Sequence, residues 1–179
     1  GSKDPKLVLQ YMDAGMLGVM MPGLETVDEV QMLVDAVKYP PQGKRGVGLS
    51  RASGYMAYSG KAPEYIETAN RETMVIIQFE DEMLLDVLPE LCGVPGVDAC
   101  MIGPRDLSLA MGFPDGPNHP EVQAVIDKAI ASITAAGITA GITAGTRKAA
   151  STQVLRGANM ILAAAQPLIL SAAKEFLPE

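Results

Sequence analysis

An α/β protein built on a parallel sheet is what this sequence predicts, and three observations carry that expectation. Short apolar runs recur at residues 17–21, 74–79, 99–102, 138–142 and 160–164. Each is followed by a stretch whose apolar residues return at helical spacing. The runs 75–77 and 99–102 show no polar alternation, as expected of strands buried on both faces. Strands that alternate with helices imply right-handed crossovers between parallel neighbours. Composition agrees: 48% of residues are hydrophobic but only 4% are aromatic and Trp is absent, so small and aliphatic side chains must fill the interior.

The elements justify themselves in order. Asp4 and Pro5 have the chemistry of an N-cap and first helical position, and Gly15 stands where that helix should end. Thr26-x-x-Glu29 is a capping box opening a helix over 27–38, with Val30, Leu33, Val34 and Val37 on one face. Residues 39–54 interrupt the rhythm with two prolines and four glycines, too long a connection to be an ordinary turn. Within it, Arg45 and Arg51 are read either as an anion or subunit clamp or as solvated surface. Helical periodicity returns at 81–91, 121–136, 147–156 and 167–177.

The 179 residues are expected to form a single domain, 1–179, with five βα units after a lone leading helix. A closed barrel needs eight such units in about 250 residues, and five could also make an open doubly wound sheet. A leading helix with no strand before it suggests that the chain begins partway through a larger fold.

Charge excludes some functions. A net charge of −7 and a pI near 4.7, with no basic run, argue against a nucleic-acid surface. No span of about 18 apolar residues suggests a membrane helix, and no secretory leader is evident. Cys92 and Cys100 lack metal or redox spacing and read as reduced, buried thiols of a cytoplasmic protein.

Two acids carry the chemistry. Glu80 closes the run 74–79 and Asp106 follows the run 99–102 after Gly103-Pro104-Arg105. Acids at successive strand ends sit at the rim of a sheet, where they could hold one hard divalent cation and leave positions open for substrate. The plainer alternative for each is an N-cap or a rim salt bridge. The one imidazole, His119 in Gly116-Pro117-Asn118-His119-Pro120, precedes a helix and reads as turn chemistry.

Three motifs then align. Tyr39-Pro40-Pro41-x-Gly43-x-Arg45-Gly46-Val47-Gly48, Gln78-Phe79-Glu80 and Gly103-Pro104-Arg105-Asp106-Leu107-Ser108 together resemble the HpcH/HpaI aldolase family. The likeness runs from Asp4 to about Phe176 and includes Asp13-Ala14-Gly15 and His119-Pro120-Glu121-Val122.

The resemblance implies a (β/α)8 TIM-type barrel, represented here by about five βα units. It implies metal-dependent class II cleavage of 4-hydroxy-2-oxo acids to pyruvate and an aldehyde. Glu80 and Asp106 match the family's metal-ligating carboxylates, for Mg²⁺ or Mn²⁺ and, on ligand type, Co²⁺. Gln78 matches a pyruvate-pocket side chain, and Gly103, Pro104, Arg105 and Asp106 match the turn whose N–H groups receive the pyruvate carboxylate.

Asp13 matches an acid reaching a neighbouring subunit's active site, and the hexamers of the family imply a homo-oligomer with the helix over 167–177 packing between subunits. By register, the family's acid–base His and keto-gripping Arg fall before Gly1. Phe79, bulkier than usual in the family, is expected to alter the pocket wall.

Two further readings accompany the aldolase one. An incomplete barrel with two unpaired strand edges could serve as an inactive, self-associating module. A citrate-lyase-type carbon–carbon lyase acting on acyl-CoA would instead use the glycine-rich loop for a larger anionic substrate.

Overall fold

The computed structural model describes residues 3–56, 62–174 and 176. The first helix, α1 (Pro5–Asp13), starts where Asp4 accepts the Lys6 N–H at 2.8 Å. It ends at Gly15, which takes φ 96°, a left-handed conformation that costs glycine little. Strand β1 (Gly18–Met21) and helix α2 (Val27–Val37) follow. In α2 the Glu29 N–H donates to Thr26 Oγ1 at 3.3 Å, while the Glu29 carboxylate takes the N–H of Glu25 at 2.8 Å. The box therefore closes one residue earlier than its simplest form. Val30, Leu33, Val34 and Val37 are all buried, each contributing about 1.5–3 kcal/mol.

The remaining elements are α3 (Ala62–Glu72), β2 (Met74–Phe79), α4 (Leu88–Cys92), β3 (Ala99–Ile102), α5 (Pro104–Ala110), α6 (Pro120–Ala135), β4 (Thr139–Thr143), α7 (Arg147–Leu155), β5 (Met160–Leu162) and α8 (Ala165–Ala173). Two helices, α3 and α5, were hidden by sequence patterning. The charged α3 has Asn70 as its buried residue, and α5 is only seven residues long. The helix expected over 81–91 is instead a 3-10 turn at Glu82–Leu84 followed by α4. Pro89 near the start of α4 has no N–H to continue a helix from upstream, so the segment breaks there. Residues 175 and 177 of the helix expected over 167–177 lie outside the described residues, as does Gly1-Ser2.

All five strands are parallel and ordered β1-β2-β3-β4-β5. A doubly wound sheet would reverse its order at a switch point. Sequential order instead matches successive strands of a barrel, wound with its helices on one face. Burial agrees: Val75, Ile77 and Phe79 join the core cluster with Cys100, Ile102, Ala140 and Ile142, against residues from α2, α4 and α6. The alternate residues of β2 (Met74, Ile76 and Gln78) face the other way and are only partly covered or exposed. Gly141 keeps this inner face flat, since a Cβ there would meet Met160 Cε at 2.8 Å and Met101 Cε at 2.9 Å. Among the described residues β1 pairs only with β2, and β5 only with β4.

The glycine-rich segment is pinned rather than loose. It lies at the end where strands begin. The Tyr39 N–H donates to Asn70 Oδ1 at 2.7 Å, and Asn70 Nδ2 returns a bond to the Tyr39 carbonyl at 2.9 Å. The Tyr39 hydroxyl meets that of Tyr65 at 3.1 Å, and burial pushes its pKa above the ordinary tyrosine value. The Arg45 guanidinium lies 4.7 Å from the centre of the Tyr39 ring and reaches Asp13 Oδ1 at 2.8 Å. The solvated-surface expectation for Arg45 is corrected: it is buried, and the anion it holds within the chain is the Asp13 carboxylate. Arg51 is exposed beside Gly15.

Candidate functional site

A cleft of about 1000 Å³ opens where β1, β2 and β3 end. Two strand ends bring the predicted residues to it. In β2 the period of two sends Val75, Ile77 and Phe79 toward the helices and leaves Gln78 with Glu80 on the opposite side. Both line the cleft. Gln78 Nε2 donates to Glu80 Oε2 at 2.5 Å, which holds the carboxylate in place while leaving its second oxygen. The expectation for Phe79 is therefore corrected: at 1% exposure it belongs to the helix-facing core and not to the pocket wall.

Beyond β3, Gly103 is the N-cap of α5 and Pro104 occupies its first turn. Asp106, also in that turn, lines the cleft near the positive end of the helix. Its carboxylate makes no hydrogen bond or ion pair among the described residues, so the rim salt bridge considered for it does not form. Gly103 lets the two segments approach: a Cβ there would stand 3.2 Å from Gln78 Nε2 and 3.4 Å from Glu80 Cβ.

The turn offers fewer donors than its sequence suggests. The Gly103 N–H is committed to the Phe79 carbonyl at 2.9 Å, and Pro104 has none. The N–H groups of Arg105 and Asp106 are the ones left unpaired at the start of α5. The Arg105 side chain is exposed and does not line the cleft; its Nη1 lies 3.2 Å from where a Cβ on Gly116 would be.

The structure does not bring Asp13 to this cleft. Asp13 ends α1 ahead of β1, at the opposite end of the strands, and is ion-paired with Arg45. His119 has the structural role its surroundings suggest. Its Nδ1 accepts the Glu121 N–H at 3.3 Å at the start of α6, and its ring stacks on Phe113 at 3.8 Å. The thiols of Cys92 and Cys100 are buried against each other; donation to Cys92 and burial push Cys100 above the ordinary thiol range.

Sequence reading missed part of the wall. Pro22, Gly23, Glu25 and Thr26 come from the loop after β1, and Asp81, Met83, Leu84 and Val87 from the segment after β2. Glu25 follows a strand end much as Glu80 does, which is the signal that could have found it. Met83 and Val87 fall in the segment expected as one continuous helix, which the structure divides into a 3-10 turn and α4.

The carboxylates Glu80 and Asp106 are hard oxygen donors and could hold a divalent cation of the Mg²⁺ type. No group of three or more His, Cys, Asp or Glu residues suited to a metal occurs among the described residues. An ion held by the pair would therefore keep positions for other ligands. None of the described helices is long and apolar enough to cross a membrane.

Strand order, one-sided helices and a carboxylate-bearing cleft at the strand C-terminal ends define the class: an arc of a parallel (β/α) barrel with a site where such barrels place theirs. The chain belongs to the HpcH/HpaI aldolase/citrate lyase family, whose profile matches residues 1–168. It is 37% identical over 176 residues to a 4-hydroxy-2-oxo-heptane-1,7-dioate aldolase of Shigella flexneri, covering 97% of this chain and 64% of the relative. It is also 37% identical over 171 residues to a 2-keto-3-deoxy-L-rhamnonate aldolase of Escherichia coli O17:K52:H18, covering 96% and 62%. The chain thus spans a little under two thirds of the length of these curated relatives. Among solved structures, an HpcH/HpaI aldolase/citrate lyase family protein from Burkholderia cenocepacia J2315 superposes with a TM-score of 0.86 at 31% identity, over 98% of this chain and 69% of that one.

Proposed function

We propose that the protein to which this chain belongs is a metal-dependent lyase that cleaves 4-hydroxy-2-oxo acids to pyruvate and an aldehyde. The observation that carries this reading is the convergence of Glu80, Asp106 and Gln78 on one cleft beside the unpaired N–H groups of Arg105 and Asp106. Glu80 and Asp106 would hold the cation, Mg²⁺, Mn²⁺ or Co²⁺ by ligand type. When bound, it supplies a Lewis acid for the negative charge that develops on the keto oxygen.

The chain's own groups do the rest of what it can supply. Gln78 keeps the Glu80 carboxylate oriented. The N–H groups of Arg105 and Asp106 receive the pyruvate carboxylate, with Gly103 and Pro104 shaping that turn. In the cleavage a base takes the proton of the C4 hydroxyl, the C3–C4 bond breaks, and its electron pair passes into the pyruvate enolate, which is then protonated at C3. His119 is committed to α6 and Phe113, so the base is not this imidazole. Asp13, at the other end of the strands, can serve such a step only in a neighbouring copy.

Association is part of the proposal. The exposed Leu168, Ile169 and Leu170 of α8 provide apolar surface for a homo-oligomer, and the two strand edges unpaired among the described residues would add to it in this chain alone. The same observations favour the self-associating module as the second reading. An acyl-CoA reading gains no such support, because the glycine-rich loop it would use packs at the opposite end from the cleft. We place the protein in the cytoplasm on the strength of its two buried, unbridged thiols.

The relatives' names differ on whether the substrate carries one carboxylate or two, since one names a dioate and the other an aldonate. The decisive test is exchange of the pyruvate methyl protons in D₂O with Mn²⁺, together with retro-aldol turnover of 4-hydroxy-2-oxo acids. Exchange that is abolished in Glu80→Gln and Asp106→Asn supports the lyase. Self-association of a chain that neither binds Mn²⁺ nor exchanges pyruvate protons would establish the module instead.

A further inference from the structure

Resting on the lyase reading, we infer that Ser108 is a positioning residue: its buried hydroxyl holds the stretch of backbone from which the Asp106 carboxylate projects. The two acids assigned to the cation are held differently. Glu80 has a side-chain partner, the Gln78 amide at 2.5 Å. The Asp106 carboxylate has none among the described residues, so its direction rests on the backbone of α5.

That backbone has little support of its own. Helix α5 has seven residues, well below the length at which a helix is stable alone. Pro104 in its first turn has no N–H, and Gly103 at the N-cap has no side chain to cap with. Ser108 supplies what is missing. Its Oγ donates to the Arg105 carbonyl, three residues back, at 2.7 Å. The Arg105 carbonyl and the Asp106 N–H belong to one planar peptide unit. A bond that fixes the carbonyl therefore fixes the plane that leads to the Asp106 Cα.

Ser108 is itself well anchored. It is 0% exposed, and its carbonyl accepts the Phe113 N–H at 2.7 Å. Leu107 beside it is buried, with its N–H on the Gly103 carbonyl at 3.0 Å. Ser108 thus ties Asp106 to the core without lining the cleft. Helix propensity would favour alanine at this place, and the buried hydroxyl is satisfied by the one bond that steadies the turn. Removing that hydroxyl leaves the Arg105 carbonyl the N–H four residues on, as in any α-helix, so the peptide gains freedom while the fold loses little.

The test uses the full-length protein in its native assembly, with Mn²⁺ as the probe. Ser108→Ala is expected to lower Mn²⁺ affinity about threefold to tenfold, read from the electron paramagnetic resonance signal of the free ion. The signal of the bound ion should broaden, and the unfolding midpoint without metal should stay within about 3 °C of the parent. Ser108→Cys fills the same space with a weak donor and is expected to bind Mn²⁺ as Ser108→Ala does. Parent-like affinity in Ser108→Ala overturns the inference, and parent-like affinity in Ser108→Cys alone reduces Ser108 to a space filler. A loss of affinity that comes with a much lower unfolding midpoint overturns it too, because the effect is then one of folding. Pyruvate proton exchange by the parent is measured alongside. Exchange together with unaltered Mn²⁺ binding in the variants overturns the Ser108 inference alone, and absence of exchange overturns the lyase reading with it.

Discussion

Gln78 and Glu80 stand two residues apart at the end of one strand, and the Gln78 amide donates to the Glu80 carboxylate across 2.5 Å. The donor assignment follows from chemistry, since an ionised carboxylate can only accept. Gly103 passes close enough to both that even a methyl group would press on the pair. Gly103→Ala is therefore expected to weaken Mn²⁺ and pyruvate binding severalfold while costing about 1 kcal/mol of stability. Calorimetric titration beside thermal unfolding checks both parts, and unchanged binding would remove the positioning role given to Gln78.

Removing either acid should hurt the ion far more than the fold. Glu80 is only partly buried and Asp106 is exposed, so Glu80→Gln and Asp106→Asn are expected to stay within about 1 kcal/mol of the parent stability. Each should lose at least about tenfold in Mn²⁺ affinity, read from the electron paramagnetic resonance signal of the free ion.

At the opposite end of the strands the Asp13–Arg45 pair is a different case. The Arg45 side chain is 1% exposed, whereas that of Asp13 is 36% exposed. Asp13→Asn would leave a buried guanidinium facing a neutral amide, with a cost of about 1–3 kcal/mol after allowing for solvent on the Asp13 side. Arg45→Lys should not rescue the site, because an ammonium cannot both lie flat on Tyr39 and reach Asp13. Urea denaturation of the two variants measures this.

Glu29 gives a pH prediction with a definite sign. The Glu25 N–H, then Lys3, hold its carboxyl below the ordinary glutamate value. A depressed carboxyl stabilises the fold above its unfolded pKa, and that contribution disappears as pH falls through the folded value. Glu29→Gln is expected to lose about 0.5–1 kcal/mol at pH 7, with the difference closing as pH falls below the ordinary glutamate range. Stability curves of both proteins over that interval test it, and a difference that grows on acidification would contradict it.

Lys38 is the buried tether at the strand starts. Its ammonium donates to the carbonyls of Asn70 and Thr73 and lies 3.2 Å from Asp98 Oδ2, which also accepts the Val75 N–H at 2.7 Å. Lys38→Met would fill the space but strand both carbonyls, at about 2–4 kcal/mol. Amide exchange at Val75 and its neighbours should then accelerate with the loss of global stability.

Much of the plan was legible in the sequence because it rests on local rules. The Thr26–Glu29 box, the Asp4-Pro5 start and the Glu80 and Asp106 positions follow from caps, periodicity and strand ends within a few residues. The 4-residue β3 was read to its boundaries, since an unbroken apolar run between turn signals admits little else. Failures came where a distant contact decides. Helix α3 has little apolar periodicity and is bound into the fold through Asn70 and Thr73, whose partners Tyr39 and Lys38 are over thirty residues away.

By itself, then, the sequence determined the alternation of strands and helices, the family and which acids end which strands. Tertiary structure alone decided that Arg45 is buried on Tyr39, that Asp13 faces away from the cleft, and that Phe79 turns to the helices. It also brought Glu25, Asp81 and an apolar strip to the cleft. The physical reason is common to these cases. Spacing along a chain specifies which face a side chain takes within its own element, whereas burial and electrostatic environment depend on what other elements bring to that face.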